Sequence, residues 1–328
     1  MLKVVIIGYG EMFTNMIAGT LDSNSQILGV LRHNRVKYPR FFRWLMDTFN
    51  PDCDYNYIKS YNLNEIKVNS ANSEAFRKKL ISLNPDILLV ASWSEKIQKL
   101  TFDIPKIATI NVHPSILPRY RGPNPYMNVI MNLETESGVT FHLMDEKFDS
   151  GAILDQRTVQ IDKSDTSKEL KAKTVLTARG AVCELFEKLS EDVIFPVSQN
   201  ESKATYFSTD FNPEVIFSHS AEEISAQIRC IHPWARTYFF VGKYIFNANP
   251  YQVTVMENTT PYLEIGTVVD ISIKDLSLTV VCGDGQLIRL AGLKRYGVFN
   301  QFLTKFALNK LRIGNIIPTP MPSKRLSD

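Results

Sequence analysis

Asn111 and His113 stand two residues apart at the end of the apolar run Ile107 to Val112. A spacing of two puts both side chains on one face of a strand, where an amide and an imidazole can act on the same atom. The chain continues as PSILPRYRG, and Pro114 and Pro118 forbid a helix directly after the strand and hold a loop in front of the pair. Asp145, Glu146 and Asp149 follow the next apolar run in MDEKFDSGAIL, and the turn at Ser150-Gly151 can aim Asp149 back toward His113. Acyl transfer to an amine is the chemistry such a set can perform. The reacting carbon becomes tetrahedral, with a developing oxyanion and an ammonium. An asparagine amide and an imidazolium N–H supply two donors to the oxyanion. The aspartate holds the imidazole's tautomer or takes the ammonium's proton through a water. No enzyme nucleophile is required, and no G-x-S-x-G elbow lies nearby. Taken singly, a strand-end histidine is usually structural and an Asp-rich loop is usually a turn. The conjunction carries the reading.

These groups need a sheet whose strand ends gather at one edge. Leu2 to Ile7 is an unbroken apolar, β-branched run ending at Gly8, as in a strand buried on both faces. Gln26 to Leu31, Asp86 to Ala91, Ile107 to Val112 and Gly138 to Met144 read as further strands. Helical spacing over Phe13 to Leu21, Asn72 to Leu83, Asn124 to Leu133 and Lys168 to Leu189 is interspersed with them. The pattern predicts an α/β domain, doubly wound around a mostly parallel sheet, over residues 1–200. Pro196 to Ala204 reads as a polar connector. A helix from Ala221 to Cys230 then precedes short alternating segments with tight turns, among which Gly283-Asp284-Gly285 is a hairpin signal. They predict a small OB-like β-barrel over 201–316 and a Pro- and Ser-rich tail over 317–328.

Composition bounds the function. Of 328 residues, 44% are hydrophobic and 22% charged, which excludes a disordered chain. A net charge of +3 permits a nucleic-acid partner without demanding one. Cys53, Cys183, Cys230 and Cys282 form no C-x-x-C pair, so neither a metal site nor a disulfide scaffold is expected, and the thiols read as buried or half-buried. Trp234 reads as core. The N-terminal apolar run is too short for a signal peptide, and no stretch reaches the roughly 18–20 apolar residues of a membrane span. A cytoplasmic protein with no membrane partner is expected.

INVHPSILPRYRG followed by GVTFHLMDEKFDSGAIL resembles the hallmark region of the folate-dependent formyltransferases, whose pattern is N-x-H-x-S-x-L-P-x-x-x-G, then G-V-T, then D-x-x-x-D-x-G. The resemblance implies Asn111, His113 and Asp149 as the catalytic trio and 10-formyltetrahydrofolate as co-substrate. It implies a pterin loop over Val90 to Ile97, with Val90, Ala91, Ser92, Trp93 and Ile97 as contacts, and a second over Asp145 to Asp149, with Asp145 and Phe148. Ser115, Leu117 and Pro118 match the family's SLLP loop. KATYF at Lys203 to Phe207, IRCIHPWARTYFF at Ile228 to Phe240 and VVCGDGQLIRLAGL are similar to the C-terminal domain of methionyl-tRNA formyltransferases, which helps hold the tRNA. Formyltransferases of nucleotide-linked 4-amino sugars carry a related domain.

The chain departs from the tRNA-specific pattern where the acceptor would lie. Gly8-Tyr9-Gly10-Glu11-Met12-Phe13 stands for G-T-P-x-F, and Arg121-Gly122-Pro123-Asn124-Pro125 for R-G-A-A-P. Gly10, Glu11, Met12 and Arg121 are therefore expected at the acceptor. Gly8-Tyr9-Gly10 lacks the third glycine of a dinucleotide fingerprint. RHNRVKYPRFFRW from Arg32 to Trp44 carries Arg35, Lys37, Arg40 and Arg43 among aromatics with no acid, which suits an RNA acceptor stem or the phosphates of a nucleotide sugar. The sequence leaves three readings: formylation of methionyl-tRNA, formylation of an amino sugar or other small amine, and a non-catalytic folate- or RNA-binding module. It does not report the oligomeric state.

Overall fold

Strands covered by helices on both faces have no solvent side, so their residues are apolar without interruption. Val4 to Ile7 of β1 (Lys3–Gly8) are fully buried in this way. In this computed structural model all residues are described except 34–39, 50, 261, 297–300 and 319–328, as are all side chains of the described residues except those of 40, 41, 43, 44 and 258. The chain forms two compact units, one of Met1–Pro125, Glu136–Gln160 and Lys171–Ser208, the other of Tyr126–Thr135, Ile161–Leu170 and Thr209–Asp328.

In the first unit β1 is followed by α1 (Gly10–Asp22), β2 (Gln26–Arg32), α2 (Arg40–Phe49), α3 (Cys53–Ser60) and α4 (Glu74–Leu83). Then come β3 (Ile87–Ala91), the short α5 (Lys99–Phe102), β4 (Ala108–His113), α6 (Pro125–Met131), β5 (Glu136–Leu143), β6 (Ile153–Gln160) and α7 (Ser167–Ser190); α6 and the start of α7 lie in the segments grouped with the second unit. The sheet order is β2-β1-β3-β4-β5-β6, parallel through β4 and antiparallel at β5 and β6. Alternate residues of β1 serve opposite cores. Val4 and Ile6 pack with Phe13, Met16 and Ile17 of α1 and Val182 and Phe186 of α7, while Val5 and Ile7 pack with Phe76 and Leu80 of α4. Ser73 caps α4 by accepting a hydrogen bond from the Phe76 N–H at 3.2 Å, and the helix ends at Asn84 in the left-handed region (φ 50°).

Three features differ from the expectation. β6 is an edge strand whose sequence ILDQRTVQ lacks an apolar run, and the strongly amphipathic α2 and the weakly patterned α3 stand where no helix is expected. The residues expected as a connector are pinned instead: Val197 pairs with Ile153 through backbone hydrogen bonds of 2.8 and 2.9 Å, and residues to Phe207 lie against the loop after β4.

The second unit follows α8 (Ala221–Cys230), which opens with a Ser220–Glu223 capping box. The expected barrel region consists of two antiparallel sheets. β7 (Tyr238–Val241), β8 (Tyr244–Asn247), β9 (Val253–Thr259), β10 (Val268–Ser272), β11 (Ser277–Val281), β12 (Gln286–Leu290) and β13 (Lys294–Arg295) form a four-stranded sheet, β10-β11-β12-β9, and a three-stranded one, β13-β8-β7. Both contribute to one core with Phe217, Ile224, Phe239, Phe246, Val280 and Ile288. The Gly283–Gly285 turn joins β11 to β12, with Gly285 at φ 76°. α9 (Gln301–Asn309), not anticipated, adds Ala307 and Leu308 to this core. Trp234, expected in a core, is 47% exposed, because the turn at Pro233 carries it off the end of α8. Cys230 and Cys282 are buried, Cys183 is half-buried and Cys53 exposed, all four as free thiols. Among the described residues no helix is long and apolar enough to cross a membrane.

Candidate active site

β4 delivers Asn111 and His113 to the edge of the sheet, and the loop after it folds back over them. His113 is 4% exposed. Its Nε2 lies 2.8 Å from the Tyr120 carbonyl oxygen, which can only accept, so Nε2 carries the proton. Nδ1 is left facing Asp149 Oδ1 at 3.4 Å. The second Asp149 oxygen accepts the Gly122 N–H at 2.9 Å. Asp149 and Tyr120 both have left-handed backbone (φ 55° and 61°), conformations that persist in non-glycine residues only when the surroundings impose them. The glycines beside them are needed for space. A Cβ on Gly151 would overlap the Leu143 carbonyl, and one on Gly122, at φ 103°, the Phe207 carbonyl.

A fourth side chain was not legible in the sequence. His142 stands opposite Asn111 in the β4–β5 register. Its Nδ1–H donates to the Leu143 carbonyl at 2.8 Å, so its Nε2 lone pair accepts the Asn111 amide N–H at 3.0 Å. Burial pushes this histidine's pKa down to about 4; Asp149 opposes the shift and His113 adds to it. The second Asn111 N–H leans toward Asp149 Oδ1 with Nδ2 3.5 Å away, the outer limit of a hydrogen bond. Nothing in the residue order marks His142 until β5 is known to run antiparallel to β4.

A cavity opens beside these groups. Val90, Trp93 and Ile97 from the segment after β3, and Asp145 and Phe148 from the loop after β5, are walls of it, with Asn111, His142 and Asp149 at its end. Glu95, Lys96, Met144 and Lys147 line it as well and were not singled out from the sequence. The Trp93 indole N–H is buried without a hydrogen-bond partner. Other expected contacts are spent elsewhere. Ala91 and Ser92 are not among the walls, and the buried Ser115 hydroxyl donates to the Arg119 carbonyl at 2.8 Å. Leu117 is buried, its N–H bound to Thr140, and the Pro118 carbonyl accepts the Thr205 N–H. These three residues shape the loop rather than the cavity.

The residues expected at the acceptor fare differently. Met12 is 2% exposed in the α1 core, since the inward face of that helix needs an apolar side chain there. The Gly10 N–H donates to Asp54 at 2.7 Å and Glu11 pairs with Lys171 at 2.8 Å. Arg121 is 9% exposed, its guanidinium committed to Glu201 and Gln199. Arg35 and Lys37 lie outside the described residues, and Arg40 and Arg43 are described only as backbone of α2.

A doubly wound domain with an amide, two imidazoles and a carboxylate converging at strand ends is the architecture of a group-transfer enzyme. Residues 3–183 match the formyl transferase family and residues 210–297 the formyl transferase C-terminal domain. The chain belongs to the formyl transferase family. It is 29% identical over 294 residues to the methionyl-tRNA formyltransferase of Ehrlichia canis (strain Jake), covering 88% of this chain and 91% of that one. It is 31% identical to that of Halothermothrix orenii (strain H 168 / OCM 544 / DSM 9562), covering 71% and 76%. Among solved structures, an N-formyltransferase from Helicobacter canadensis in complex with folinic acid and dTDP-3-aminofucose shares the fold with a TM-score of 0.65 at 19% identity, over 90% of this chain and 100% of that one.

Proposed function

We propose that this enzyme moves the formyl group of 10-formyltetrahydrofolate to the amino group of methionyl-tRNA, with Asn111, His113 and Asp149 as the catalytic residues. The observation that carries the reading is that Asp149 and Asn111 lie together at the end of the cavity, with the buried His113 directly behind, its Nδ1 3.4 Å from Asp149 Oδ1. The folate fits that cavity chemically: Val90, Ile97 and Met144 offer apolar walls to a flat ring, and the orphan Trp93 N–H offers a donor to its heteroatoms.

The amine attacks the formyl carbon, and the carbonyl oxygen becomes an oxyanion. Asn111 supplies the N–H that only leans toward Asp149 in the free enzyme, while His142 holds the other N–H and so the plane of the amide. His113 has one uncommitted nitrogen, so it acts as a proton carrier rather than as a second standing oxyanion donor. Nδ1 takes the proton of the attacking amine and returns it to the folate nitrogen as the carbon–nitrogen bond to the folate breaks. Asp149 balances the imidazolium in between. Formyl group, proton and electron pair are all accounted for without an enzyme-bound intermediate.

The acceptor is read from the relatives named above and from the basic Arg32 to Trp44 segment. A second reading, a nucleotide-linked amino sugar, is favoured by the departures at Gly8–Phe13 and Gly122–Pro125 and by the amino-sugar nucleotide in the Helicobacter structure. Incubation with 10-formyltetrahydrofolate and separate pools of charged initiator tRNA and amino-sugar nucleotides decides between them by mass spectrometry. The tRNA pool should gain the mass of one CO. A gain confined to the sugar pool replaces the first reading with the second, and no gain in either removes both. Reversing the charge of Arg40 and Arg43 together should weaken acceptor binding and leave folate binding unchanged; unaltered acceptor affinity in a titration discards the segment as a contact.

A further inference from the structure

The segment from Val197 to Phe207 touches both loops that carry the candidate catalytic groups. On one side Val197 pairs with Ile153, just after the Asp149 loop. On the other, the Thr205 hydroxyl accepts the Tyr120 N–H at 2.8 Å, the Thr205 carbonyl accepts the Arg121 N–H at 2.9 Å, and the Phe207 ring stacks on Tyr120 at 5.1 Å. Tyr120 is the residue whose carbonyl fixes the His113 tautomer.

Gln199 joins the two sides. Its Nε2 donates to the Asp149 and Gly151 carbonyls, 2.8 Å each, and its Oε1 accepts from Arg121 Nη2 and Nε at 2.7 and 3.2 Å. All its hydrogen-bonding capacity is thus used, on the backbone that carries Asp149 and on the residue between Tyr120 and Gly122. Glu201 steadies the arrangement through Arg121 Nη2 at 2.7 Å and Nη1 at 3.0 Å. The backbone at Asp149 is left-handed, which an aspartate in a free loop would seldom hold, and the Gln199 amide closes on the carbonyls that define that turn.

We infer that Gln199 is a positioning residue: it clamps the Asp149–Gly151 turn to the loop after β4 and so sets the separation of Asp149 from His113. The inference rests on the catalytic roles proposed above. A displacement of the order of 1 Å at reacting groups can cost about 100-fold in rate, so loosening the clamp acts on turnover more than on substrate binding.

Two substitutions separate this role from simple support of Arg121. Gln199→Ala removes both halves of the clamp. Gln199→Glu keeps the volume and an acceptor for Arg121 but replaces the NH2 group with a single oxygen that faces both carbonyls. Ser198→Ala, on the exposed side of the segment, is the control. The readouts are kcat and acceptor KM at saturating 10-formyltetrahydrofolate, and deuterium uptake of peptides covering residues 145–153. Both Gln199 variants should lose at least ~10-fold in kcat with acceptor KM within about twofold, and both should exchange faster over 145–153, while Ser198→Ala matches wild type. Wild-type kcat in Gln199→Glu, or unchanged exchange over 145–153 in both variants, overturns the inference. The exchange readout needs no activity, so it still decides the clamp if wild type proves not to transfer formyl groups.

Discussion

At pH 7 a histidine held near pKa 4 by burial leaves its Nε2 bare, and the Asn111 amide has a fixed acceptor. The same displacement makes folding pH-dependent. The unfolded chain binds a proton at this position below pH 6.5, the folded chain only below about 4. Between those values the unfolded state holds the extra proton, so stability falls as pH drops through the window, by up to about 3 kcal/mol from this residue. His142→Gln, which can still accept from Asn111, should flatten the stability–pH slope between pH 6.5 and 4 in urea titrations; an unchanged slope sinks the assignment. Asp149→Ala and His113→Ala should each cut kcat by about 10²–10⁴-fold, since both act on proton movement, and each should also lower stability by roughly 1–3 kcal/mol, because each leaves a buried backbone group without its partner. Near-normal formylation by Asp149→Ala would remove the mechanism. Asn111, His113 and Asp149 were legible as a group because their types and spacings single them out, and the structure brings them together. Their partners Tyr120, Gly122 and His142 were not, because two contribute backbone atoms and the third depends on strand register.

A buried charge ties the basic helix to the sheet. Arg32, 5% exposed at the end of β2, reaches Asp47 of α2 at 2.9 Å, Asp52 at the N-cap of α3 at 2.8 Å and Glu65 at 3.2 Å. One guanidinium fork ties two helices to the sheet. Arg32→Met should lower unfolding free energy by about 3 kcal/mol, because it strands part-buried carboxylates without a countercharge; a loss under about 0.5 kcal/mol in denaturant titration would show the network to be dispensable. The Arg32 to Trp44 run was visible as basic, but its acidic partners are 15, 20 and 33 residues away in sequence and none signals a pairing. For the same reason β6 and the Val197 to Phe207 segment read as polar connection: their pairings are with residues that only the fold brings near.

Taken whole, the molecule carries a net charge of only +3, so any nucleic-acid affinity must come from local charge such as the Arg32 to Trp44 run. If the acceptor is tRNA, six or more phosphate contacts should weaken its binding by about 10³-fold or more between 50 and 200 mM salt. A nucleotide sugar, with a few phosphate contacts, should change by far less. A flat salt dependence for tRNA in filter-binding or anisotropy titrations would exclude a phosphate-tracking interface.

Periodicity and residue type determined the class of fold, the order of most strands and helices, and three of the four polar side chains at the site. They could do so because a buried parallel strand must be apolar along its whole length, and because residues two apart on a strand share one face. Tertiary structure alone decided that β5 runs antiparallel, bringing His142 to Asn111, that Arg121 is locked away by Glu201 and Gln199, and that Met12 belongs to the core. Those outcomes depend on which distant segments meet. A side chain's partner, unlike its own polarity, is written nowhere in its local sequence.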